Sequence, residues 1–79
     1  MPANTRKTTE AVILHDSAKG LIKISIYEAS GRITIKYCPA DPQCMAADIN
    51  RIKDDLMARH QIAPEHIQTQ AFSFQNAPS

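Results

Sequence analysis

The chain has 79 residues, of which 43% are hydrophobic and 22% charged, and its formal net charge is +1. This is the composition of one small globular domain, and it excludes an intrinsically disordered chain, which would be poorer in hydrophobic residues. A total charge this close to neutral argues against a general polyanion binder. The charge is uneven, because six basic and three acidic residues give residues 1–40 a charge of +3, whereas residues 41–79, with three basic and five acidic residues, carry −2.

The two ends of the chain are polar and show no hydrophobic periodicity. We therefore predict flexible tails at residues 1–8 and 75–79 around a single domain at residues 9–74. The N-terminal segment lacks the apolar stretch of a signal peptide, and no apolar run approaches the roughly 20 residues of a membrane span. Two cysteines are too few for a disulfide scaffold, so we expect a cytoplasmic protein without membrane association.

Three strand patterns occupy the first half of the chain. Residues 11–15 form a short apolar run, which is followed by turn residues at 16–20. Apolar and polar side chains then alternate over residues 21–28 and again over residues 32–38. Alternation in two segments joined by a glycine-containing turn predicts an antiparallel hairpin, which the first strand extends to a three-stranded meander.

A helix is predicted to begin at residues 41 and 42. Asp41 has the side chain of an N-cap, and Pro42 suits the first helical turn. Arg51, Asp55 and Arg59 have the i,i+4 spacing at which Arg51–Asp55 and Asp55–Arg59 ion pairs are expected. The apolar stripe of this helix consists of Met45, Ile49, Ile52 and Leu56.

The helix is expected to end near His60, ahead of Pro64, and residues 66–74 are predicted to form a fourth strand. The predicted fold class is therefore α+β, with two layers and the element order βββαβ. The sequence leaves the position of the fourth strand in the sheet open, and one arrangement is a right-handed crossover after the third strand that sets it parallel to the first, in the order 4-1-2-3.

The side-chain pattern also predicts the register of the central hairpin. A slip of one residue exchanges the two faces of a strand, so the isoleucines of both strands are expected to share the core face. This pairs Ile24 with Ile35 and leaves residues 28–31 as a four-residue loop. A three-residue loop would set Ile26 opposite Thr34 and would move the apolar residues of the third strand out of the core.

The predicted register sets Lys23 directly opposite Lys36 on the face away from the helix. Like charges opposed across strands cost up to about 1 kcal/mol, unless an acidic group of a partner lies between them. Alternatively, both lysines extend into solvent and discourage edge-to-edge association. The predicted partner-binding site consists of Lys23, Ser25, Tyr27, Arg32, Thr34 and Lys36.

Little in the sequence indicates catalysis. A glycine-rich phosphate loop, a nucleophile elbow and a zinc-protease motif are all missing from the sequence, so we expect no enzymatic activity and no cofactor. Five residues separate Cys38 from Cys44, which is wider than the spacing in a zinc knuckle, and we predict no metal site. Because Cys44 lies near the start of the helix, a thiol-dependent or metal-binding protein is retained as an alternative.

These features together predict a small non-enzymatic interaction or regulatory protein. We expect it to bind a protein partner, or to self-associate as a homodimer, through the sheet face that the single helix leaves open. An inhibitor of a host complex encoded by a phage or mobile element is one example of this class. The other alternative is a nucleic-acid-binding module that uses the basic sheet face, although Tyr27 would be the one stacking aromatic there.

Overall fold

The computed structural model describes residues 8–73. Apart from Thr8, the two predicted tails lie outside the described residues, and so does Phe74, the predicted end of the last strand. The described residues form an α+β fold, as predicted. Its elements are β1 (Glu10–Asp16), β2 (Leu21–Tyr27), β3 (Ile33–Pro39), α1 (Met45–Arg59) and β4 (Ile67–Ala71), with 3-10 turns at Pro42–Cys44 and Pro64–His66.

The four strands form one sheet in the order β3-β2-β1-β4. β2 is antiparallel to both of its neighbours, whereas β4 is parallel to β1. These pairings confirm the predicted meander, and they place the fourth strand parallel to the first, in the arrangement that the sequence left open. α1 connects β3 to β4, which run in the same direction at opposite edges of the sheet and therefore need a crossover connection.

The core lies between α1 and one face of the sheet. Its most completely buried side chains are Ile13, Ile22 and Ile26, from the two central strands. Alternation along β1 and β2 directs every second residue toward α1, so the two strands present a continuous apolar surface to the helix. The rest of the buried core consists of Ala11, Ile24, Met45, Ile49, Leu56, Ile62 and Ile67, with Ile52 partly buried against it.

The start of the helical segment follows the prediction. The Asp41 carboxylate accepts a hydrogen bond from the backbone N–H of Gln43 at 2.9 Å. N–H groups in the first turn of a helix have no carbonyl partner within it, so this side chain supplies the missing acceptor. The segment begins as the 3-10 turn at Pro42–Cys44, and α1 itself starts at Met45.

Removing the cap is expected to destabilise the fold measurably. Asp41→Ala should lower the free energy of unfolding by about 1 kcal/mol, because the Gln43 N–H loses its acceptor. Asp41→Asn keeps an acceptor oxygen and should lose less than about half of that. Urea unfolding followed by circular dichroism measures both variants. Equal losses would show that the negative charge, and not the hydrogen bond, stabilises this turn.

The charged face of α1 differs in part from the prediction. Asp55 Oδ1 lies 2.8 Å from Arg59 Nε, which confirms that pair. Arg51 pairs with Asp48 at i,i+3 spacing, so the predicted Arg51–Asp55 pair is wrong. Arg59 already engages Asp55 from the following turn, and Asp48 offers Arg51 a carboxylate on its other side. α1 ends at Arg59 with His60 as its C-cap, as predicted.

The fourth strand is shorter than residues 66–74. Pro64 opens a 3-10 turn in which the His66 N–H donates to the Ala63 carbonyl at 2.8 Å. β4 therefore begins one residue later, at Ile67, and it ends at Ala71. Ile67 is its one buried residue, so most of this edge strand contributes little to the core.

The loop between β2 and β3 has three residues, 29–31, and the predicted four-residue loop is wrong. The Glu28 N–H donates to the Arg32 carbonyl at 2.8 Å, and the Gly31 N–H donates to the Glu28 carbonyl at 2.9 Å. Gly31 has a φ of +99°, in the left-handed region that favours glycine. These features together are those of a tight turn followed by a glycine β-bulge, a common closure for a three-residue hairpin loop.

The bulge shifts β3 by one residue from the predicted register. Ile24 lies opposite Lys36, and Ile26 lies opposite Thr34, so the predicted pairing of Ile24 with Ile35 is wrong. Because successive side chains of a strand point to opposite faces, the shift turns the polar residues of β3 toward α1 and its apolar residues away. Turn geometry sets the register here against the hydrophobic pattern.

Candidate interaction surface

The sheet face opposite α1 is not covered by any helix or strand of residues 8–73, and we call it the open face. Strand pairing and alternation place every second residue of each strand on it. It carries Glu10, Val12, Leu14 and Asp16 from β1, Leu21, Lys23, Ser25 and Tyr27 from β2, Ile33, Ile35 and Tyr37 from β3, and Gln68 and Gln70 from β4.

The β3 strip, which we define as Ile33, Ile35 and Tyr37, is the most exposed apolar part of the open face. These side chains have 59%, 51% and 57% of their surface exposed. β3 is also an edge strand, so one row of its backbone groups has no neighbouring strand among residues 8–73. Exposed apolar side chains in a row on an edge strand are typical of surfaces that pair or dock.

Lys23 faces Tyr37 across the hairpin, and the predicted Lys23–Lys36 juxtaposition is wrong. The Lys23 Nζ lies 6.0 Å from the centroid of the Tyr37 ring. A cation at this distance from an aromatic ring is stabilised by about 0.5–1 kcal/mol at an exposed site. Lys23 therefore lies against a ring of the β3 strip, and Lys36 points to the opposite face of the sheet.

The six residues predicted as the binding site do not share one face. Lys23, Ser25 and Tyr27 lie on the open face. Thr34 and Lys36 point toward α1, and Arg32 lies in the loop before β3. The β3 strip is not among the residues predicted from the sequence, and the sequence signal that indicates it is Gly31 at the third position of a three-residue loop.

Ser25 is 4% exposed although it lies on the open face. Its cross-strand neighbours are Val12 on one side and Ile35 on the other. Larger side chains therefore flank the serine on both sides. A partner on the open face would therefore meet a mainly apolar surface between β1 and β3, with Lys23 as its cation.

A groove lies on the other side of the sheet, between α1 and β3. It contains two adjoining clefts of about 370 and 300 Å³, and Cys38, Arg51 and Ile52 line both of them. The groove exists because the register shift gives β3 short or polar side chains on this side, which do not fill the space beside the helix. Its charged lining residues are Lys36, Asp48, Arg51 and Asp55, and His60 also lines it. Because the groove carries charges of both signs, it does not indicate one class of ligand.

His15 lies in β1, opposite Ile22 on the side that faces α1. Its Nδ1 is buried and has no hydrogen-bond partner in the described structure. The turn after β1 is capped by the neighbouring residue, since Asp16 Oδ1 accepts a hydrogen bond from the Lys19 N–H at 3.2 Å. His15 is therefore part of β1, and Asp16 is the residue that caps the turn.

The two cysteines are free thiols in different surroundings. Cys38 is half-buried in the groove, whereas Cys44 is exposed at the N-cap position of α1. Within residues 8–73, histidine, cysteine, aspartate and glutamate form no group of three or more that is placed to hold a metal ion.

No known protein family, curated protein or solved structure matches this chain. In the described part of the chain, no helix is long and apolar enough to cross a membrane. The physical character of the open face is therefore what points to a function.

Proposed function

We propose that this chain is a small non-enzymatic protein that binds another polypeptide through its open face, centred on the β3 strip. The observation that carries the proposal is the row of three large apolar side chains, each more than half exposed, on an edge strand. Such a strand offers a partner both backbone hydrogen bonds and side chains that become buried on contact.

The composition of the open face supports a protein partner. Tyr27 and Tyr37 are residues of the kind that supply much of the energy of protein interfaces. The strip between β1 and β3 around them is mainly apolar, Glu10 lies opposite Tyr27, and Lys23 is the cation that the strand pairing places there. Because the free energy of protein association comes largely from burial of apolar surface, this face suits a polypeptide.

A chain that binds without chemistry of its own acts by occupying a surface of its partner. We therefore assign it the role of an inhibitor or regulator of a protein complex. Cys38 and Cys44, as two unpaired thiols, fit the reducing environment of the cytoplasm, and we propose that location.

A nucleic-acid-binding module is the second candidate, because the observed register brings Tyr37 onto the same face as Tyr27. Two aromatic rings and Lys23 are the elements of a surface that stacks bases and contacts phosphate. The same register removes Lys36 from this face, which lowers its positive charge. The loss of phosphate-binding charge makes the protein partner the stronger candidate.

The proposal is tested with two matched pairs of substitutions on β3. Ile33→Ser with Ile35→Ser removes apolar surface from the open face, and Thr34→Ser with Lys36→Ser changes the alternate residues on the other face. The immobilised chain should retain one protein from a lysate of its own source cells in equal stoichiometry. The isoleucine pair should weaken that complex at least about tenfold, because it removes the apolar contact at its centre. The control pair should change affinity less than about twofold.

Isothermal titration calorimetry with the purified partner measures both affinities, and circular dichroism confirms that each variant is folded. Equal weakening by both pairs would contradict binding through the open face. If the chain retains nucleic acid instead, with an affinity that falls steeply as salt is raised, the second candidate replaces the first.

A further inference from the structure

We infer that a second copy of this chain occupies the edge of β3, by antiparallel pairing of the two β3 strands about a two-fold axis at Ile35. This inference rests on the proposed function, since it names the polypeptide that binds to the β3 strip. Four features of β3 support it: the direction of its backbone groups, its side chains, its charges and its two ends.

The backbone groups of Ile33, Ile35 and Tyr37 point away from the sheet. The hairpin bonds show this, because the Glu28 N–H donates to the Arg32 carbonyl and the Ala40 N–H donates to the Gly20 carbonyl. In an antiparallel ladder every second residue bonds to the same neighbour, so the even-numbered residues of β3 bond to β2. The odd-numbered residues, which carry the apolar side chains, therefore direct their N–H and C=O groups to the open edge.

Antiparallel pairing about Ile35 is self-complementary. It sets Ile35 opposite its own copy and Ile33 opposite Tyr37 of the second copy, in pairs that exchange backbone hydrogen bonds. The two β3 strips then form one apolar surface on the open side of an eight-stranded sheet. The two-fold axis is perpendicular to the sheet, so both helices lie on the same side of it. Because each β3 edge is used by the other copy, this interface closes at two chains.

The charges of β3 select this register over its neighbours. Centred on Ile35, the pairing sets Lys36 opposite Thr34, and no two charged residues of like sign face each other. Centred one residue later, Lys36 would face its own copy, and centred one residue earlier, it would face Arg32. Like charges directly opposed across strands are destabilising, so both neighbouring registers are disfavoured. A formal net charge of +1 adds little repulsion between the copies.

The ends of β3 limit the pairing to a short segment. Pro39 occupies an outward-facing position at the end of the strand and has no N–H to donate, which is where an edge strand tolerates proline. The bulge at Gly31 twists the other end. The remaining edge, β4, presents Gln68 and Gln70 on the open face, so a head-to-tail β3–β4 chain would bury polar side chains against the apolar strip.

The mass in solution tests the inference first. Light scattering over a concentration series should give a mass that rises from 8.8 kDa for one chain to twice that value, with a dissociation constant of about 1–100 µM for an interface this small. Ile33→Ser with Ile35→Ser should keep the single-chain mass throughout the series. Thr34→Ser with Lys36→Ser should leave dimerisation within about twofold of the wild type, because those side chains are not opposed to charges.

Cysteine cross-linking then tests the register, in a background with Cys38→Ser and Cys44→Ser. Ile35→Cys should form an inter-chain disulfide with itself under mild oxidation, since paired Cα atoms about 5.5 Å apart are within disulfide range. Ile33→Cys and Tyr37→Cys should each remain uncross-linked alone and should cross-link when mixed. Lys36→Cys should not cross-link with itself, because the two copies of residue 36 are offset along the strands.

The outcomes separate this inference from the proposed function. A single-chain mass at every concentration overturns the second copy as occupant, while retention of another protein that depends on Ile33 and Ile35 would still support the proposed function. A dimer that survives the isoleucine pair, or that cross-links through Lys36→Cys, overturns the β3 interface. If the chain neither dimerises nor retains a protein in a way that depends on Ile33 and Ile35, both proposals are overturned.

Discussion

Replacing Ile26 by alanine is expected to lower the free energy of unfolding by about 3 kcal/mol, whereas the same change at Ile33 should cost less than about 1 kcal/mol. Ile26 is 2% exposed between the sheet and α1, so its removal leaves a cavity that the close-packed core cannot fill. Ile33 is 59% exposed on the open face, and its loss removes little buried surface.

The two substitutions are matched, because each replaces an isoleucine by alanine and the two isoleucines lie on neighbouring strands of the same hairpin. In the register predicted from the sequence they face each other in the core, and both changes would cost about the same. Urea unfolding followed by circular dichroism measures the difference, at a concentration at which light scattering gives the mass of one chain. A loss at Ile33 comparable with that at Ile26 would contradict the observed register and, with it, the β3 strip.

Much of the fold is predictable because its elements agree with their local sequence. Strict alternation over β2, the Asp41–Pro42 pair and the helical spacing of Met45, Ile49 and Leu56 each specify one structure. The position of β4 is less determined, because a crossover through α1 permits parallel pairing with the free edge of β1 but the sequence pattern does not require it. The observed β2 and α1 therefore agree closely with the prediction.

The register of β3 is where local and global preferences disagree. Its isoleucines favour the core, but Gly31 closes a three-residue loop, and hydrogen bonds at Glu28 hold the register that this loop requires. The alternation of apolar and polar side chains does not indicate this preference of the backbone for a three-residue loop. The predicted face of Lys23, Ser25 and Tyr27 agrees with the structure because these residues lie on β2, and the wrong register is confined to β3, beyond the turn.

This disagreement explains why the candidate surface exists. A hairpin with the four-residue loop would bury Ile33 and Ile35 and would leave Lys36 exposed opposite Lys23. The bulge instead exposes three apolar side chains on an edge strand and turns Lys36 into the groove beside α1. Sites where a sequence departs from its own hydrophobic pattern are often functional, and here the departure creates the surface to which we assign binding.

A second large effect is expected at Gly20, in the turn before β2. Gly20→Ala should lower the free energy of unfolding by about 2–4 kcal/mol, through two separate penalties. Gly20 has a φ of +63°, which alanine adopts only with strain. An added Cβ would also lie 2.8 Å from the Ala40 carbonyl oxygen, and that oxygen belongs to a backbone held in place because the Ala40 N–H donates to the Gly20 carbonyl at 2.8 Å.

Two further substitutions separate these penalties. Gly31→Ala also meets a positive φ, of +99°, but its Cβ would have no atom within 4 Å, so strain alone should cost about 1 kcal/mol. Gly20→Asn keeps the contact with Ala40 but relieves most of the strain, since asparagine tolerates the left-handed region. If Gly20→Asn is as stable as the wild type, the close approach to Ala40 contributes nothing. If it loses most of what Gly20→Ala loses, the join between the start of β2 and the end of β3 requires a residue without a side chain.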